Sequence, residues 1–148
     1  DVHDRVKILE VGTGSGYQTA VLSHLCRRVY TIERHRDLLR SAEQQFTALD
    51  RRNVTTRAGD GWRGWPEQAP FTHIIVSAAA PEIPPVLVDQ LDIGGVMVLP
   101  IGDERQEQRI LRIVRTEEGF EEDDRGPVRF LPLVAGMPAA ASRQAESG

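Results

Sequence analysis

The stretch VKILEVGTGSGYQTAVLS, Val6 to Ser23, decides the fold class. Its first six residues, Val6 to Val11, are mostly aliphatic or β-branched and read as a central strand. The strand runs at once into Gly12-Thr13-Gly14-Ser15-Gly16, and from Tyr17 to Cys26 the apolar positions Val21, Leu22 and Leu25 follow helical spacing. Strand, glycine turn and helix in direct succession open a parallel α/β unit, because a parallel strand needs a crossover to return.

The pattern continues outward. RVYTIE, ending at Glu33, reads as a second strand, and Arg36 to Leu49 as a helix with Leu38, Leu39, Ala42, Phe46 and Leu49 on one face. Val54 to Ala58 reads as a third strand, followed by a loop dense in Gly, Trp and Pro. Phe71 to Val76 is an apolar run suited to a strand buried on both faces. Ile83 to Leu91 suggests a short helix with Pro84 and Pro85 in its first turn. Gly94-Gly95 makes a turn into a fifth strand, Val96 to Pro100. Gln108 to Thr116 then alternates, and a turn at Glu117 to Gly119 suggests an antiparallel partner in Val128 to Val134. The expected fold is α/β: a doubly wound, mostly parallel sheet of about seven strands with an antiparallel edge. One domain is expected over residues 1–136, with a disordered tail over 137–148, where small and polar residues prevail.

The totals are those of an ordinary globular domain. The chain has 148 residues, enough for one core, with 40% hydrophobic and 27% charged residues. A net charge of -4 does not attract nucleic acid or an anionic membrane over long range. No apolar run reaches the roughly 20 residues a membrane helix needs. A single cysteine, Cys26, cannot form an internal disulfide, so a cytoplasmic setting is expected. His3, His24, His35 and His73 have no metal-ligand spacing with one another or with Cys26, so no metal site is expected.

In a doubly wound sheet, ligands bind beyond the carboxyl ends of the strands, where strand order reverses. Three successive strand ends carry suitable residues. Gly12, Gly14 and Gly16 permit a tight turn and close approach to a ligand. Glu33 stands 21 residues after Gly12, about where a carboxylate meets the two hydroxyls of a ribose. Gly59-Asp60-Gly61 supplies a loop that can lie along a flat ring, with Asp60 able to accept from an exocyclic amine. A dinucleotide fingerprint wants a third glycine where Tyr17 stands, which argues against a nicotinamide oxidoreductase. The spacing G-x-G-x-G instead resembles the loop of the S-adenosylmethionine methyltransferases.

The resemblance becomes specific across the chain. ILEVGTGSGYQTAVLS, VYTIE, GDGWRGWPEQAPF, IIVSAAAPEIPPVLVDQL, GGVMVLPIG and VRFLPLVAG occur in one order from Ile8 to Gly136, and the set resembles the protein-L-isoaspartate O-methyltransferase family. The resemblance implies a Rossmann-like methyltransferase fold and S-adenosylmethionine as cofactor, released as S-adenosylhomocysteine. It implies methyl transfer to the free α-carboxylate of L-isoaspartyl residues in damaged proteins, the ester closing to a succinimide whose hydrolysis restores some aspartate. The isoaspartyl protein is the implied partner of a monomer. Carried over by position, the loop Gly12, Thr13, Gly14, Ser15 and Gly16 contacts the methionine and ribose parts, Glu33 holds the ribose beside Arg34, and Asp60 and Gly61 flank the adenine. Ser77, Ala78, Ala79, Ala80 and Pro81 line the transfer site, and Gln106 lies near substrate. No residue is assigned as catalytic. The family's leader, with a serine or threonine that closes over the site, has no counterpart before Val6 in this sequence, so impaired transfer and weakened cofactor binding are expected. A methyltransferase for another small acceptor and a non-catalytic cofactor-binding module stand as alternatives.

Overall fold

The computed structural model describes residues 2–103 and 107–127. Seven strands form one sheet: β1 Lys7–Val11, β2 Arg28–Glu33, β3 Val54–Ala58, β4 Phe71–Val76, β5 Leu91–Ile101, β6 Arg109–Thr116 and β7 Gly119–Pro127. Three helices intervene: α1 Tyr17–Ser23, α2 Arg36–Ala48 and α3 Pro85–Val88. The strand order is β3-β2-β1-β4-β5-β6-β7. The first five strands are parallel, and β6 and β7 are antiparallel to their neighbours. Order reverses between β1 and β4. Right-handed crossovers therefore place α1 and α2 on one face of the sheet and α3 on the other.

The pleat divides β1 between those faces. Leu9 and Val11 join Ile32, Ile74, Leu87, Val88 and Met97 in the larger core cluster. Ile8 packs with Cys26 and Val29 in a smaller one. Glu10 shares the parity of Ile8 and is fully buried, opposite Thr31 in the register of β1 and β2. This explains a departure from the expected helix face. α1 turns Thr19 and Ser23 inward and leaves Val21 exposed, with Leu25 exposed just beyond its end; the carboxyl beneath takes the Thr19 hydroxyl as a donor, and the Ser23 hydroxyl donates to Ala20 O.

Three further differences have local causes. The helix expected over residues 83–91 is confined to Pro85–Val88, since Leu91 already pairs with Phe71 in the sheet. β5 is longer than expected and absorbs Gly94, at φ 82°, where the pairing with β4 shifts register. After the turn, β6 pairs with Gly119–Pro127; the expected run 128–134 lies outside the described residues. The turn at Glu117 and Glu118 sends the chain straight back, pairing Thr116 with Gly119. β7 is acidic and almost wholly exposed, so backbone pairing holds it, and its charges discourage further strand addition at that edge.

Gly16 marks the tightest junction between loop and helices. It adopts φ 85° immediately before α1, and a Cβ there would lie 2.9 Å from Ala42 Cβ and 3.0 Å from the Phe46 ring. We expect Gly16→Ala to lower stability by about 2–3 kcal/mol, from combined backbone strain and overpacking. Urea unfolding measures this directly, and an unchanged midpoint would exclude such close packing.

Candidate functional site

The carboxyl ends of four strands are tied together by backbone hydrogen bonds. Gly12 N–H donates to Ile32 O at 2.8 Å, Gly59 N–H to Glu33 O at 3.1 Å, and Ser77 N–H to Val11 O at 3.0 Å. These bonds bring the loops after β1, β2, β3 and β4 around one cleft of about 370 Å³. Its walls include Gly12, Gly14, Glu33, Arg34, Asp60, Gly61, Ser77 and Ala78, all expected from the sequence. The cleft also takes in Gly59 and Trp62, from the loop expected after the third strand, and Val11, Ile32, His35 and Leu38, which the sequence reading did not assign to a site.

Glycine is needed at two places for different reasons. At Gly61 a Cβ would sit 2.3 Å from Val11 Cγ1, so the loop after β3 lies directly on the end of β1. At Gly14, φ is 54° and a Cβ would meet nothing within 4 Å, so the loop there faces open cleft.

Glu33 is the principal polar group. Its Oε1 accepts the Gly14 N–H at 2.9 Å, and its Oε2 accepts the His35 N–H and the His35 ring nitrogen Nδ1, each at 2.9 Å. Burial pushes this carboxyl up, but the His35 and Gly14 amides and the His35 ring outweigh burial and hold it below the usual carboxylate range. Asp60 both faces the cleft and accepts the Trp62 N–H at 3.0 Å, capping the single 3-10 turn that follows. The same loop is pinned from below by buried Gln90, whose Oε1 accepts Trp65 N–H at 2.8 Å and whose Nε2 donates to Arg63 O at 3.0 Å.

Not every expected residue faces the cleft. Thr13 points into the sheet and shares a 2.6 Å hydrogen bond with Thr31 Oγ1. Ser15 is exposed and accepts from Tyr17 N–H at 3.4 Å, while Gly16 serves the junction with α2. In the alanine run, Ala80 is buried and extends the sheet: its N–H donates to Pro100 O, and its carbonyl accepts Gly102 N–H. Ala79 is half-buried and Pro81 exposed, and neither lines the cleft. Gln106 lies outside the described residues.

The residues the sequence reading missed are mainly neighbours of ones it found. His35 follows Glu33 by two positions, and Leu38 was counted on the packed face of α2 yet stands 45% exposed at the cleft wall. Beneath the loop, Glu10 accepts from the Thr19 hydroxyl, from Thr31 Oγ1 at 2.7 Å and from Gln18 Nε2 at 3.0 Å. Burial raises its pKa despite these donors, and the charge of Glu33 adds to the rise.

The two glutamates therefore act on stability in opposite directions from a common ordinary value of 4.5. Glu33, depressed in the fold, contributes stability above that value that is lost as pH falls through its folded pKa. Glu10, raised in the fold, contributes stability below that value that is lost as pH rises through its folded pKa. Urea melts between about pH 3 and 8 should show Glu33→Gln flattening the acid-side loss and Glu10→Gln removing an opposite dependence. Parallel pH profiles for wild type and Glu10→Gln would show that Glu10 titrates normally.

Comparison with known proteins bears on this site. The family model described as protein-L-isoaspartate(D-aspartate) O-methyltransferase matches residues 1–137. A protein-L-isoaspartate O-methyltransferase of Rhodospirillum rubrum is 64% identical over 140 residues, covering 93% of this chain. The chain spans 64% of the length of that relative. Among solved structures, a protein-L-isoaspartate O-methyltransferase superposes with a TM-score of 0.80 at 27% identity, covering 86% of this chain and 41% of its own. A Plasmodium falciparum structure of the same description, in complex with S-adenosyl-L-homocysteine, has a TM-score of 0.74 at 25% identity, covering 87% of this chain and 66% of its own.

Proposed function

Because the chain belongs to the protein-L-isoaspartate(D-aspartate) O-methyltransferase family, we propose that its cleft binds S-adenosylmethionine and serves methyl transfer to the free α-carboxylate of L-isoaspartyl residues in damaged proteins. The observation that carries this reading is the position of Glu33: an ionised, largely buried carboxylate at the end of β2, one strand from the order reversal, between a glycine loop and an apolar wall.

The residues fit the cofactor. Gly14 and Gly59 present backbone without a Cβ to the open cleft, leaving room for the amino-acid and ribose parts. Glu33 is an acceptor for ribose hydroxyls, and as an ionised group it forms stronger hydrogen bonds than a neutral one. Val11, Ile32, Leu38 and Trp62 offer apolar surface for a purine, with Asp60 Oδ2 as the oxygen not engaged by the Trp62 amide. Bound there, S-adenosylmethionine supplies an electrophilic methyl carbon on a sulfonium.

The acceptor makes modest demands on the protein. A carboxylate with an ordinary pKa near 4 is ionised at neutral pH, so the chain need not supply a general base. What the protein contributes is orientation and exclusion of water from the nucleophile. Ser77 and Ala78, small and at the cleft mouth, leave space for an extended peptide to approach. Ala80 supports them by anchoring the turn to β5. Thr13, Ser15 and Gly16 shape the loop behind the cleft.

The test is incubation with methyl-labelled S-adenosylmethionine and two peptides differing only in one isoaspartyl or aspartyl linkage. Base-labile label on the isoaspartyl peptide alone is the expected result; label on both or neither overturns the assignment for this chain. Glu33→Ala should weaken S-adenosylhomocysteine binding by about 10- to 100-fold, the loss of charge-assisted hydrogen bonds. Calorimetry measures that, and an unchanged affinity would remove Glu33 from the site.

A further inference from the structure

The hydrogen bonds already made by Glu33 limit what it can offer a ligand, and this inference rests on the cofactor reading above. An ionised carboxylate has about four in-plane acceptor sites, two on each oxygen. Oε2 has both filled, by the His35 N–H and by His35 Nδ1, while Oε1 has one filled by Gly14 N–H. A ribose diol donating from both hydroxyls across the carboxylate needs a free site on each oxygen, and Oε2 has none.

One of the three donors has to give way, and only one is able to. The Gly14 and His35 amides are backbone groups, fixed by the glycine loop and by the start of α2. The His35 ring is a side chain, 62% exposed, at the cleft wall. Rotation about its side-chain torsions carries it into solvent at the cost of a single hydrogen bond.

We propose that the imidazole of His35 is a latch on the ribose site: it occupies Glu33 Oε2 in the free protein and swings out when the diol binds. The strength of the His35–Glu33 bond is then subtracted from cofactor affinity. Since an ionised carboxylate only accepts, Nδ1 carries the proton of that bond.

The other carboxylates near the cleft have arginine neighbours of their own, and the nearby arginines carry the wrong sign to replace Glu33. Asp60 lies 3.8 Å from Arg63, Asp37 lies 3.7 Å from Arg40, and Arg34 and Arg36 flank His35 with positive charge. Glu10 lies behind the sheet face, bonded to Gln18, Thr19 and Thr31. Glu33 is therefore the carboxylate that the His35 ring meets.

The experiment is calorimetric titration of S-adenosylhomocysteine into the chain and its His35→Ala and Glu33→Ala variants at neutral pH, with melting curves to verify folding. His35→Ala should bind more tightly than wild type, by about tenfold, as a hydrogen bond to an ionised carboxylate is relieved. Equal or weaker binding by His35→Ala, with Glu33→Ala still impaired, overturns the latch and leaves the cofactor reading intact. Absence of binding by wild type and both variants overturns the two together. Imidazole nitrogen NMR supplies a second reading that does not depend on a variant: S-adenosylhomocysteine should abolish the hydrogen-bonded Nδ1–H signal of His35, and its persistence in the complex rules the latch out.

Discussion

A carboxyl group buried in the interior of a sheet has to be satisfied, and at Glu10 that requirement organises the glycine loop above it. Glu10 is fully buried in β1, and each of its donors comes from an element that shapes the cleft. Thr19 and Gln18 come from α1, so the first turns of that helix are drawn down onto the strand. Thr31 comes from the neighbouring strand, and through its hydroxyl Thr13 is held as well. The loop from Gly12 to Gly16 is thus fastened from beneath by a chain of hydroxyls, leaving its backbone to face the ligand side. An unsatisfied carboxyl at this depth would cost several kcal/mol, so the arrangement admits few alternatives.

Glu33 stands one strand away and has the opposite character. Its partners are mainly backbone amides, which stabilise the ionised form, whereas those of Glu10 are side-chain donors that do not overcome burial. The fold thereby keeps one carboxyl sealed inside and presents the other, charged, to the cleft. In the proposed cofactor site, that charge is what would receive the ribose hydroxyls. It also attracts the donor nearest in the chain, His35, so recognition and competition arise from the same group.

Much of this was legible in the residues. The alternation of strand and helix, the reversal point, the glycine loop, Glu33 and the Gly59-Asp60-Gly61 turn all announce themselves through local spacing, because each depends on conformations that few residue types adopt. The acidic edge strand was not legible. β7 buries almost nothing, and burial periodicity is the signal by which strands are read. The inward face of α1 was misread for a related reason: hydrophobic spacing pointed to Val21 and Leu25, while a polar demand from Glu10 in β1 turned Thr19 inward.

The sequence by itself determined the order of elements, the family and the loops that meet at the switch point, since these follow from periodicity, turn chemistry and motif spacing along the chain. Only the tertiary structure decided which of those loop residues share a cleft. Thr13 and Ala80 belong to the right motifs but spend their hydrogen bonds on the sheet, whereas Leu38 reaches the cleft from a helix face read as packing. The reason is that a side chain's direction is set by what lies beneath it. The demands of Glu10, Val11 and Gln90 come from strands and loops distant in sequence, and appear only when the chain has folded.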